Sequence, residues 1–345
     1  MKLNWSYRLP KERQVGARAP VADAETVLVA FHYDKADFYE STLVALDRTT
    51  GEERWRATIP HVLSEPVLAP DGSVYVSSFS GTVHAFDRSG GKLWDGPCGD
   101  RNMGRLCLVG NDRLAVAEAG GGASKTWCLD MRTGSKVWAF DNQGHSYALA
   151  ASNGRVVHAT VLAKGAGVRL HCVDTSSGRA LWAVDSAEWM FHPVVQDQTV
   201  LIGARGSLRA YSLQTGELLA RLDLGDKEAI DGQLQVAGDR IYFGTDAGRV
   251  RCAVLQRKRS FFKTRLSLES AWQAACEGGI RGRPVVAGDA LAVLTPEEGI
   301  FFLDTATGQS LSALKMGKGD GGGLLYDREW LYGALGREIR AFGPG

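Results

Sequence analysis

The sequence predicts an all-β fold: an eight-bladed β-propeller of four-stranded blades, the last blade closed by the N-terminal strand. Three observations predict it. A phrase recurs about every 40 residues; short β-rich runs lie between its copies with no helical periodicity; and the N-terminus supplies a strand that the C-terminus lacks. The phrase reads DRTTGEERW at 47–55, DRSGGKLW at 87–94, DMRTGSKVW at 130–138 and DTSSGRALW at 174–182. Weaker copies are SLQTGELLA at 212–220 and DTATGQSLS at 304–312. Such a period means one supersecondary unit stacked many times rather than one single-core domain.

Each copy joins an apolar run such as Leu43–Leu46 to a second run ending in Trp55, Trp94, Trp138 or Trp182. Two runs bridged by Asp-x-x-Thr/Ser-Gly form a β-hairpin. The Asp carboxylate accepts bonds from turn amides, and the Gly supplies the positive φ from which the strand resumes. The Trp is then a large packing residue at one fixed place in each sheet. It is lost at Ala220 and Ser312, so the later units are less regular.

Within a unit, strand A often opens on Pro: PVLAP at 66–70, PVVQD at 193–197, PVVAG at 284–288. Strand B is β-branched or aromatic, as in SVYVSS at 73–78 and RIYFGT at 240–245. Strand C precedes the Asp and strand D follows the Gly. Seven units run roughly 18–60, 61–99, 100–142, 143–186, 187–225, 226–278 and 279–316. The segment 317–345 offers only three strands, GLLYD, WLYGA and EIRAF, while Leu3–Tyr7 has the D-strand pattern with Trp5 in the Trp slot. The chain therefore reads as one domain, 1–345, with residues 2–9 completing the blade formed by 317–345. That closure satisfies backbone groups that an open ring would expose.

Balanced charge, 40 Lys and Arg against 39 Asp and Glu in 345 residues, excludes a global basic field for nucleic acid. None of the six Cys forms a CxxC or adjacent pair; Cys128, Cys172 and Cys252 fall in the slot that Ala45, Ala85 and Ala210 hold in other copies. They read as small apolar filler, free thiols with no metal role. The opening MKLNWSYRLPKERQ has no apolar stretch or cleavage site, and no later run is long enough to span a membrane. Together with free thiols this predicts a cytoplasmic location.

The in-register (Leu)-Asp-x-x-Thr-Gly-x-x-x-Trp phrase in four-stranded blades resembles the PQQ-like, or quinoprotein-type, β-propeller family over essentially the whole chain. It is similar to that family's non-catalytic BamB-like propellers of the outer-membrane barrel assembly machinery. The motif is specific for fold and unspecific for activity, since the family includes dehydrogenases and assembly scaffolds alike. The dehydrogenase resemblance implies a vicinal disulfide on the quinone, a Trp floor, an Asp base and carboxylate ligands for Ca²⁺. Here no two Cys are adjacent and the blades use up the chain, leaving no cap to bury a cofactor. HExxH, GxSxG and Walker A patterns are absent, and the glycine tracts at 120–124 and 317–323 open no helix and read as turns. No catalytic residue, cofactor or metal is expected.

Contact residues are expected at the channel mouth, just before each strand A. Glu65, Arg105, Tyr147, His192, Gln233 and Arg283 share nearly one slot; His145, Asp231, Arg281 and Asp320 come two residues earlier. This mixed-charge ring reads as a ligand or peptide funnel. His61, His145 and His192 lie in these loops without a carboxylate spacing suited to metal. Two loops break the repeat. The excursion His32–Glu40 carries Tyr33, Phe38 and Tyr39 among charges, a composition suited to protein contact. The sixth unit replaces its turn by Gln256–Arg265, where Arg257, Lys258, Arg259, Lys263 and Arg265 flank Phe261 and Phe262. Glu188–Phe191 forms a third apolar patch. The expected function is a non-catalytic scaffold for a protein or peptide partner. The alternatives are a small-molecule or PQQ-binding propeller, including a quinoprotein-type oxidoreductase, and weak nucleic-acid binding through the basic hairpin.

Overall fold

The computed structural model describes residues 1–10, 16–33, 40–61, 63–99, 103–119, 124–162, 165–225, 228–230, 232–259, 264–276, 280–295, 299–316 and 319–343. Their strands form eight sheets whose A-B-C-D neighbours pair antiparallel, with one further parallel pair on the blade 1 sheet. Blade 1 runs from Gly16–Ala17 to Glu53–Pro60, blade 2 from Val67–Leu68 to Lys92–Pro97, blade 3 from Met103–Val109 to Lys136–Asp141 and blade 4 from Gly144–Ser152 to Ala180–Ser186. Blade 5 spans Met190–Gln196 to Leu218–Asp223, blade 6 Gln235–Ala237 to Thr264–Ala275, and blade 7 Arg281–Ala287 to Ser310–Leu314. Blade 8 joins Gly323–Asp327, Trp330–Leu335 and Glu338–Gly343 to the N-terminal strand Lys2–Arg8.

The N-terminal strand pairs as expected: Leu3 faces Phe342, Trp5 faces Ala341 and Tyr7 faces Ile339. The Gly343 amide donates to Asn4 Oδ1 at 2.9 Å. A second tie joins blade 8 to blade 1, where Asp320–Gly321 pairs in parallel with Gly16–Ala17.

The repeated phrase works as expected within the hairpin and has a further role between blades. Asp47 Oδ1 accepts the amides of Thr49 and Thr50 at 2.8 and 2.9 Å, and Asp304 Oδ1 accepts those of Ala306 and Thr307 at 3.1 and 2.7 Å. The ion pair with Arg54, then these amides, hold the Asp47 pKa down to about 2. The Trp does not pack on its own turn. Each indole lies on the turn Gly of the next blade and donates to a carbonyl there. Trp55 sits on Gly90 and donates to Arg88 O (2.9 Å); Trp138 sits on Gly178 and donates to Thr175 O (2.8 Å). Trp94, Trp182 and Trp272 repeat this on Gly134, Gly216 and Gly308, and Trp5 closes the circle on Gly51.

The core is correspondingly divided into eight clusters, one in each seam between neighbouring blades. Directly across from the Trp stands a small residue: Ala45, Ala85, Cys128, Cys172, Cys252 or Ala341. Cys is filler in those three blades, and Cys98, Cys107, Cys128, Cys172 and Cys252 form no disulfide. Blade 7 inverts the pair, with Phe302 opposite Ser312. Blade 5 has Ala210 opposite Ala220, and its seam is filled instead by Leu255, Leu266 and Leu268 from the blade 6 hairpin.

Candidate functional site

In the innermost strands the ladder is interrupted by bulges. They fall between Met103 and Leu106, Ser146 and Leu149, Phe191 and Val194, and Arg281 and Val285; in blade 2 the pairing skips from Leu63 to Val67. A bulge re-aims the side chain it carries. Glu65, Arg105, Tyr147, His192 and Arg283 all sit in these interruptions, at matching positions of their blades.

Four charges meet there. Arg105 Nη2 donates to Glu65 Oε1 at 2.7 Å, joining blades 3 and 2. Arg18, in the matching interruption of blade 1, anchors its Nε on Leu63 O at 3.0 Å. Arg283 reaches the same place from blade 7. Its side chain keeps contact with solvent, yet protein crowds it closely enough that desolvation lowers its pKa, with Glu65 opposing and Arg105 assisting. Arg18 is lowered by the same three causes in the same order. One guanidinium thus contacts the Glu65 carboxylate, and two more feel its charge. His192 holds a left-handed φ of 40°, and burial, then the nearby Arg105 charge, pushes its pKa down to about 4. It is neutral at physiological pH.

His192 also lines the neighbouring pocket, about 330 Å³ between blades 4 and 5, with Ala148, Ala159, Val161, Trp189, Met190 and Phe191. Trp189 is 45% exposed and stacks on Phe191 at 6.3 Å. The apolar pocket and the arginine cluster are therefore adjacent, with His192 between them.

Of the other funnel residues, His145 and Gln233 are half-buried, and His145 Nδ1 meets no protein partner. Asp231 and the side chains of Tyr147, Arg281 and Asp320 lie outside the described residues. Arg18 was not among the residues expected here. The Pro-based register of strand A puts Ala19 in the slot, one residue away, and the only signal in the sequence is the Arg preceding Ala19-Pro20.

The basic hairpin lies elsewhere. C–D turns share a face with A–B turns, opposite the D–A loops of the channel mouth. Arg257 accordingly pairs with Asp197, in the A–B turn of blade 5, at 3.0 Å. Arg257 and Lys258 are exposed, and Arg259 pairs through its backbone with Thr264. The Arg259 side chain, Phe261 and Phe262 fall outside the described residues, as do the Tyr33 side chain, Phe38 and Tyr39. Residues 34–39 of the 32–40 excursion also fall outside the described residues; the strand ends that flank them, Tyr33 and Glu40, pair with each other. Among the described residues no three His, Cys, Asp or Glu gather as a metal site.

The family model described as outer membrane protein assembly factor BamB matches residues 2–122, 39–189 and 80–314, overlapping spans typical of a repeat. The chain belongs to this family. A relative, the outer membrane protein assembly factor BamB of Nitrosomonas eutropha, is 28% identical over 126 residues, 35% of this chain and 30% of that protein. The alignment thus spans under a third of the relative's length. The crystal structure of BamB from Moraxella catarrhalis superposes with a TM-score of 0.72 at 18% identity, covering 99% of this chain and 97% of that one. Quinohemoprotein alcohol dehydrogenase from Comamonas testosteroni superposes with a TM-score of 0.71 at 13% identity, covering 99% of this chain and 77% of that one. At such identities the BamB structure and the dehydrogenase share the fold with this chain, and the likeness carries no activity.

Proposed function

We propose that this BamB-family chain is a non-catalytic scaffold, one domain over 1–345, which binds a protein or peptide partner on the face holding the channel mouth. The observation that carries the reading is the family match, to proteins named for assembling others at the outer membrane. The site supports it: rigid inner strands hold Arg18, Arg105, Arg283 and Glu65 at one opening beside an exposed aromatic pocket, the layout of a recognition surface.

The family's name speaks against the cytoplasmic location expected from free thiols. The thiols do not require it. Burial pushes the pKa of Cys98 and Cys172 up to about 12 and of Cys128 to about 11, so thiolate is scarce and these sulfurs are poorly reactive even in an oxidising compartment. No helix among the described residues is long and apolar enough to cross a membrane. We place the protein in the cell envelope, and fractionation of cells producing the native gene product tests this.

The functional test is crosslinking in the native cell with three versions of the protein: wild type, Trp189→Ala with Arg283→Gln, and one lacking 257–265. A partner recovered by the first and third but not the second supports the reading. Equal recovery by all three, or loss only with the hairpin, removes the channel mouth from it.

A further inference from the structure

We infer that the segment taken by this mouth is an acidic peptide with an apolar anchor: a carboxylate set among Arg18, Arg105 and Arg283, and an aromatic or large aliphatic side chain in the Trp189–Phe191 pocket. The inference rests on the scaffold reading above.

The charge at the mouth is unbalanced among the described residues. Glu65 offers one carboxylate, which Arg105 Nη2 engages. Arg18 spends only Nε, on a backbone carbonyl, and Arg283 has no hydrogen bond or ion pair with any described residue. A guanidinium carries five donors in a planar fork matched to carboxylate. Arg18 and Arg105 are half-buried, and between partly buried groups like charges repel more than they do in open water. A carboxylate relieves that repulsion; a basic or neutral segment does not.

The second half of the site is apolar. Trp189 projects into solvent against Phe191, over a floor of Ala148, Ala159 and Val161. A volume of about 330 Å³ holds one large side chain with room to spare. His192 lines the pocket, and its bulge position matches those of Arg105 and Arg283 in their own blades. It also stays uncharged beside Arg105, so it adds no third barrier between the halves. One extended segment crossing His192 reaches both.

An array of random end-blocked heptapeptides, probed with the purified full chain, tests this because it fixes no spacing in advance. The expected selection pairs Asp or Glu with Phe, Trp, Leu or Met a few residues away. Arg283→Gln should weaken the selected peptides about tenfold or more and erase the preference for acidic residues. Trp189→Ala should erase the apolar preference and leave the acidic one. Both side chains are exposed and neither makes a hydrogen bond to a described residue, so an unchanged melting temperature verifies the fold. Selected peptides that are basic or neutral, or whose binding neither substitution changes, overturn the inference while leaving a peptide-binding scaffold intact. An array that selects nothing overturns both.

Discussion

At the scale of single residues, the Trp and Gly of the repeat serve different neighbours. Six blades lend an indole to the turn of the next blade; blades 5 and 7, with Ala220 and Ser312 in its place, lend none. The sequence shows the spacing but not this handover, because the partner of each Trp is a full repeat away. Gly178 lies at φ +69° with its missing Cβ position 2.8 Å from the Trp138 ring. Gly178→Ala should therefore cost about 1–3 kcal/mol in urea unfolding, from crowding added to backbone strain. Gly238→Ala is the control, since its φ is +63° but nothing lies within 4 Å, so it should cost only the strain. The seam between blades 3 and 4 is the polar exception. His158 stacks on His171 at 5.0 Å, Phe140 packs edge-on against both, and neither His158 nitrogen meets a protein partner. Burial, then the neighbouring His171, lowers the His158 pKa far below normal; burial, then Arg169, lowers His171 to about 4. The unfolded chain takes up these protons near pH 6.5; in the folded one His171 resists its proton until about pH 4, and His158 is also held well below its ordinary value. Stability should hold above the first value and fall through that window as pH drops, read as unfolding free energy against pH. His158→Leu removes an unpartnered buried polar ring and should flatten the fall without loss at pH 7.5.

At the scale of elements, the blade 6 hairpin divides into a base and a tip with different work. Where blade 5 lacks its Trp, Leu255 and Leu268 from the hairpin base fill the seam and are 3% and 6% exposed. Leu268→Ala should cost about 2–4 kcal/mol. Arg257→Ala with Lys258→Ala, exposed and beyond that seam, should stay within about 0.5 kcal/mol. The basic composition drew attention to the tip, while the alternation of Leu266 and Leu268 with polar residues already carried the period of a half-buried strand. Blade 7 was harder to read, because its large residue moved across the ladder to Phe302.

At the scale of the whole molecule, the number of blades, their limits and the N-terminal closure were legible because all three follow from counting repeats and finding one strand short. The channel mouth was legible only in part. Its residues depend on bulges, which shift registers by one and left Arg18 out of the count. Removing residues 1–9 deletes the Trp5 dock on Gly51, the Asn4–Gly343 bond and six ladder pairs. It should lower the melting temperature and broaden the transition in calorimetry, since Glu338–Gly343 then presents a bare outer edge. The same closure sets an order of events during synthesis. The Asn4–Gly343 contact spans 339 positions, so at ordinary ribosomal speeds the Lys2–Arg8 strand waits roughly 20 to 70 seconds for its partner. Throughout that interval the nascent chain carries this ribbon unmated, and whatever shields it from other ribbons in the cell is part of how this protein is made.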